Sequence, residues 1–261
     1  MYKSWTIIAK EWSEVFKNRL VLFTVIFMPL LFVALPLIML ATMDGLGDTG
    51  ISNGGDLGIN EARCVGLDES QCVQVYMLDI FTLLFMILPI TIPVTIAAYS
   101  IVGEKTSHSL EPLLATPITT GELLAGKALA AAVPAIVATW LSFVLYLIGV
   151  RIMTSAEIFE HVLDPLWLLA VFLVGPLLTV LSVCTAIIIS SRVTDPRVAE
   201  QLSAVVIVPI ILLLVGQSMG LIILDRQLVL LAGIVVAIVD VALLVIAVKA
   251  FQRETILTKW K

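Results

Sequence analysis

Ile80–Val102, IFTLLFMILPITIPVTIAAYSIV, and Ala128–Val150, ALAAAVPAIVATWLSFVLYLIGV, are apolar runs without a charged side chain. Between them lies Gly103–Lys127, GEKTSHSLEPLLATPITTGELLAGK, which carries Glu104, Lys105, His108, Glu111, Glu122 and Lys127. A charge-free run of this length reads as a membrane-crossing helix, because about 20 residues span a hydrocarbon core of about 30 Å. Pro112 and Pro117 interrupt the polar segment, and each disfavours helix at the residue before it. The spacing predicts a short helix up to about Glu111, a turn, and the start of a new helix. A polar helix-turn between two spans has the character of a docking surface. Catalysis is disfavoured, since no pair of groups here has the spacing of a nucleophile and its base.

Working outward, four more apolar runs have the length of a span: Leu20–Met43, Pro165–Ser191, Leu202–Leu224 and Leu228–Val248. Residues of the 261-residue chain are 60% hydrophobic and 13% charged, against about 50% and about 25% in soluble domains. Backbone inside a bilayer must satisfy itself as helix or closed barrel, and these runs are too long and lack the alternation of barrel strands. The connections are too short for a soluble domain. The expected fold is therefore all-α and integral to the membrane, one domain over 1–261 with six spans at 20–43, 80–102, 128–150, 165–191, 202–224 and 228–248.

Basic residues orient it. With the N-terminus inside, the inner segments hold Lys3, Lys10, Lys17, Arg19, Lys105, Lys127, Arg192, Arg197, Lys249, Arg253, Lys259 and Lys261, and the outer ones only Arg63, Arg151 and Arg226. Twelve against three satisfies the positive-inside rule, which puts both termini in the cytoplasm. The net charge of −5 comes mostly from acids of the outer loops, so it gives no sign of a nucleic-acid partner.

Residues 2–19 are expected to form an amphipathic helix in the inner membrane interface, with Trp5, Ile8, Trp12 and Phe16 on one face. Glu11 and Glu14 argue against an acid-poor targeting peptide, and the long first apolar run against a cleaved signal peptide. Residues 44–79 read as an extracellular loop. Cys64 and Cys72 within it can close a small disulfide loop on an oxidising face, with two free thiols as the alternative. Cys184 reads as a small packing residue. Ser155–Leu163 has the pattern of a short surface helix with His161 solvated, and SSRVTDPRVAEQ of a tight inner turn. Prolines fall inside five of the spans, as suits kinked helices in a bundle that rearranges. Asp240 is the one charged residue deep in a span. It reads either as an ion or proton site or as a carboxyl hydrogen-bonded to a neighbouring hydroxyl. Gly121–Lys127 matches GxxxxGK, but Ala128 follows where a phosphate-binding loop needs Ser or Thr, and no strand precedes it.

The run Gly103-Glu104-Lys105, then Leu110-Glu111-Pro112-Leu113-Leu114-Ala115-Thr116-Pro117, then Glu122-Leu123-Leu124 and Gly126-Lys127, resembles the segment between the second and third spans of ABC type-2 permeases. The N-terminal helix, six spans and the tail Phe251–Leu257 are similar to that family too. His108 departs from it, standing where many members carry glycine. The resemblance implies a permease, the membrane subunit of an ATP-driven exporter, in the plasma (inner) membrane of a prokaryote and paired as a homodimer. Residues 103–127 would then be a cytoplasmic coupling loop, its helix seated in a groove of a separate ABC ATP-binding subunit present in two copies. Glu104, Lys105 and Glu111 would make charged contacts, and Leu110, Leu113 and Leu114 apolar ones. ATP and Mg would sit in that partner, with no cofactor and no catalytic residue in this chain. The alternative is a secondary transporter or channel driven by an ion gradient through Asp240, for which the internal repeats of such proteins are missing. An intramembrane protease is disfavoured, since neither an HExxH motif nor a second carboxylate at the depth of Asp240 is present.

Overall fold

The computed structural model describes residues 8–13, 17–45, 67–106, 120–222 and 224–250, and every regular element among them is helical. After the helical residues 8–13 come α1 (Arg19–Gly45), α2 (Glu69–Phe85), α3 (Leu88–Thr106), α4 (Thr120–Met153) and α5 (Ala156–Val162). Next, α6 (Pro165–Leu169) runs through a π turn (Ala170–Val174) into α7 (Gly175–Ser190). Helix α8 (Pro196–Ser203) runs through a 3-10 turn (Ala204–Ile207) into α9 (Val208–Ser218), and α10 (Arg226–Ala250) follows. Six stretches among the described residues are long and apolar enough to cross a membrane: Val21–Thr42, Ser70–Gly103, Gly121–Met153, Ala156–Ser190, Pro196–Ser218 and Arg226–Val248.

Helices α3 and α7 pack together at the centre, α4 lies against both, α1 covers α4, and α10 lies along α7. The most apolar part of Ser70–Gly103 is 72% buried, against 17% in Arg226–Val248, so the second span is core and the sixth is periphery. Phe23, Ile26 and Leu30 on α1, Leu141 and Ile148 on α4, and Leu231, Ile234 and Ile238 on α10 are exposed. Apolar surface on that scale fits lipid and not water.

The prolines shape the helices because each lacks the N–H owed to the carbonyl four residues back. Pro89 follows the break between α2 and α3, where the Met86 and Ile87 amides tighten onto Leu83 O and Leu84 O at 3.1 and 2.9 Å. Pro93 leaves Pro89 O without its helical donor, and the Ser182 hydroxyl of α7, bonded to Thr179 O at 2.9 Å, lies 3.4 Å from it. Pro134 likewise leaves Ala130 O, which accepts from Trp12 Nε1 at 3.0 Å. Pro176 follows the π turn and Pro209 the 3-10 turn, so those kinks are changes of helical winding.

Several boundaries differ from those read in the sequence. The outer loop 44–79 is shortened, because residues 69–79 form the first turns of α2 with Val75 and Leu78 buried. Asp79 ended the charge-free run, yet its carboxylate accepts from Trp167 Nε1 at 2.8 Å, and a satisfied charge lets the helix continue inward. Residues 103–127 are helical at both ends, to Thr106 and from Thr120. The tight turn 190–201 contains α8, capped by Asp195, whose carboxylate accepts from the Arg197 amide at 2.8 Å.

The fifth span ends at Ser218, earlier than its apolar run. Gly220 adopts φ 67°, its amide donates to Gln217 O at 3.0 Å, and the Leu221 amide donates to Gly216 O at 2.8 Å. This glycine-closed helix end needs a left-handed residue. Gly220→Ala is expected to destabilise the chain by about 1–2 kcal/mol, read as a lower thermal midpoint in detergent, whereas an unchanged midpoint would contradict the assignment.

Candidate functional site

The ends of α3 and α4 bracket residues 107–119, the middle of the expected docking segment. Glu104 and Lys105 fall in the last turn of α3. Leu110, Glu111, Leu113 and Leu114 lie outside the described residues, as does Cys64. The described structure places a polar cluster at the neck of this segment. Glu11, from helical residues 8–13, is 2% exposed, and Lys127, seven residues into α4 and next to its charge-free run, is 4% exposed. Lys127 Nζ donates to Glu11 Oε1 at 2.7 Å and to Ser100 Oγ of α3 at 2.9 Å. Ser100 Oγ in turn donates to Glu11 Oε2 at 2.5 Å.

Helical periodicity explains why these groups meet. Ile8 and Glu11 are three residues apart on one face, both buried, while Ala9, Lys10 and Ser13 face outward. Lys127 and Ala130 are also three apart, so one face of α4 presents an ammonium and the proline-freed carbonyl together. Glu11 takes the first and Trp12 the second. A buried ion pair gains stability only when further hydrogen bonds complete it, and Ser100 supplies one to each partner. Removing one member leaves an uncompensated buried charge.

The same geometry disposes of the GxxxxGK match. Gly121–Lys127 is helix, and its lysine is committed to Glu11 and Ser100, so neither backbone nor ammonium is arranged to cradle phosphate.

Two further polar contacts join the central helices. Thr95 Oγ1 of α3 donates to Glu200 Oε1 of α8 at 2.5 Å. On the other end of the bundle, Thr82 Oγ1 and Tyr146 Oη are 3.3 Å apart, near the Asp79–Trp167 bond. Asp240 is 4% exposed, on the stripe of α10 that includes Val229, Gly233 and Ala247 and packs on α7. The expected hydroxyl partner is not found: among the described residues, neither carboxylate oxygen has a hydrogen-bond partner. Cys72 is disulfide-bonded and Cys184 is a buried free thiol. His161 Nδ1 lies 2.9 Å from Glu157 O, one turn back in α5.

Sequence reasoning did not single out Glu11, Ser100 or Trp12 for a site, and took Lys127 as part of a surface segment. The signal was present. An acid three residues after Ile8 on an otherwise apolar face, and a lysine abutting a charge-free run, are opposite charges that each need a partner once buried.

The family described as ABC-2 family transporter protein matches residues 5–228, a stretch that contains the N-terminal segment, the polar cluster and five whole spans. No curated protein sequence matches the chain. With the family matched over most of its length and six helices fit to cross a bilayer, the chain belongs to the ABC-2 transporter family as a multi-pass membrane protein.

Proposed function

We propose that the chain is the permease subunit of an ATP-driven exporter, lining a translocation path with a second copy of itself. Two copies of a separate ATP-binding subunit hold the ATP and Mg and dock on residues 103–127. Glu104, Lys105 and Glu111 supply charged contacts to them, and Leu110, Leu113 and Leu114 apolar ones. ATP draws the two ATP-binding subunits together, hydrolysis releases them, and the movement reaches the spans through the docking segment and the N-terminal interfacial helix. The observation that carries this reading is the neck: a polar segment joins two central helices whose ends are tied together by the Lys127–Ser100 hydrogen bond, with Glu11 of the N-terminal segment bonded to both. A loop free to flex would lose the displacement it receives. The test is the affinity of the detergent-purified chain for the ATP-binding subunit of its host. Leu113→Asp with Leu114→Asp is expected to weaken it by about 30-fold, the loss of an apolar hot spot worth about 2 kcal/mol. Unchanged affinity would rule out this docking face.

The orientation, with both termini in the cytoplasm of a prokaryote, rests on the distribution of Lys and Arg. It puts Cys72 and Cys64 outside, where we assign them to one disulfide. A membrane-impermeant maleimide applied to intact cells is expected to label the chain only after reduction. Labelling without reductant would contradict the pairing, and no labelling even after reduction would contradict the orientation.

A second reading, transport driven by an ion gradient, has one observation in its favour, the unpartnered carboxylate of Asp240. Asp240→Asn separates the two. Gradient-driven transport is abolished by it, whereas the ATP-coupled permease keeps the ATPase activity of its complex.

A further inference from the structure

We propose that Glu11, Trp12, Ser100 and Lys127 form a transmission joint that makes the N-terminal segment, the end of α3 and the start of α4 move as one body. The inference rests on the docking role proposed for residues 103–127, and it adds the residues through which a displacement of that segment is passed on.

Three observations point to a joint and not to ordinary packing. First, the contacts close a ring across three elements far apart in sequence: Glu11 to Lys127, Lys127 to Ser100, and Ser100 back to Glu11. A ring of charge-assisted hydrogen bonds resists shear in each direction, which apolar side chains sliding past one another do not. Second, the ring sits at the neck of the polar segment, with Ser100 six residues before the end of α3 and Lys127 seven after the start of α4. Anything that pushes residues 107–119 loads this point before it loads the spans. Third, the N-terminal segment is held twice. Trp12 donates to Ala130 O, an acceptor that exists because Pro134 cannot bond it, so a proline in α4 makes a socket for an indole. Both attachments fall on one face of α4, one turn apart, and fix the direction of residues 8–13 as well as their position. The chain continues from there into α1, which itself lies on α4. Motion entering at the neck therefore reaches the first, second and third spans together. Glu11, Ser100 and Lys127 are positioning residues in this scheme, since none of them touches nucleotide.

The experiment measures the distance between spin labels on two exposed positions, Ala9→Cys on the N-terminal segment and Leu129→Cys on α4, in the complex with the ATP-binding subunit. The expected result is one narrow distance distribution that is the same without nucleotide and with ATP. Lys127→Met is expected to split or broaden the distribution when ATP is added, while the ATP-binding subunit stays bound. Glu11→Lys combined with Lys127→Glu restores the narrow distribution, which a purely steric role for either side chain would not allow. If Lys127→Met does not fold, Ser100→Ala and Trp12→Phe keep the ion pair and open the joint more gently, with the same broadening. A distribution that shifts with ATP in the unaltered complex, or one that stays narrow in every variant, overturns the joint. If the unaltered chain fails to hold the ATP-binding subunit at all, the docking role has failed, and the joint as a transmission device falls with it.

Discussion

Lys127→Met is expected to lower the stability of the folded chain by about 3–5 kcal/mol, the loss that follows when one partner of a buried ion pair is removed. Glu11 is 2% exposed and would be left as a lone carboxylate holding one hydroxyl hydrogen bond, from Ser100. Glu11→Gln is the milder change, because an amide carbonyl still accepts from Lys127, while the charge and the acceptor for the Ser100 hydroxyl are lost. Exchanging both residues, Glu11→Met with Lys127→Met, removes both desolvated charges at once and is expected to recover much of the loss. Thermal midpoints in detergent, read as the fraction remaining monodisperse after heating, report the order: double variant above Lys127→Met, and the unaltered chain above both. A Lys127→Met midpoint equal to that of the unaltered chain would mean that the pair is solvated, contrary to the described burial.

Trp167→Ala carries the second large effect. The indole is 1% exposed, so truncation opens a cavity in the packing around α6, and such changes destabilise by about 3–5 kcal/mol. It also strips Asp79, 5% exposed, of the Nε1 donor at 2.8 Å. Trp167→Phe separates these contributions. It fills most of the volume and loses the hydrogen bond, so it is expected to destabilise by about 1.5–3 kcal/mol, as for bonds to a charged group. If the two variants have the same midpoint, volume is unimportant there and the hydrogen bond is the whole effect. A midpoint unchanged in both would contradict the packing of α2 against α6.

The architecture was legible in the sequence because the bilayer allows so few solutions. Runs such as Ala128–Val150 can only be helices, and their number follows from counting. Ends were legible less often, for particular reasons. Asp79 looked like the outside because a charge normally stops a span, and a donor far along the chain, Trp167 Nε1, helps to make it acceptable inside. Ser218 ends its helix within an apolar run because Gly220 takes a left-handed conformation, a local backbone choice that hydropathy does not register. The polar ring escaped for the opposite reason. Glu11 and Lys127 looked like ordinary interfacial charges, and their pairing across the chain is a tertiary fact. Asp240 was read either as an ion or proton site or as a carboxyl bonded to a neighbouring hydroxyl, and among the described residues its oxygens meet no donor. The proposed docking residues were chosen from a resemblance, and those from Leu110 to Leu114 lie outside the described residues.

The central claim, that this ABC-2 family chain is driven by a separate ATP-binding subunit seated on residues 103–127, is tested most directly by purification from the native host. The chain is isolated in mild detergent and its bound proteins are identified by mass spectrometry. The account predicts that a protein with a complete phosphate-binding loop co-purifies, and that Glu111→Arg releases it while the chain remains folded. Recovery of the chain alone, or only with further copies of itself, would contradict the account and direct attention to Asp240.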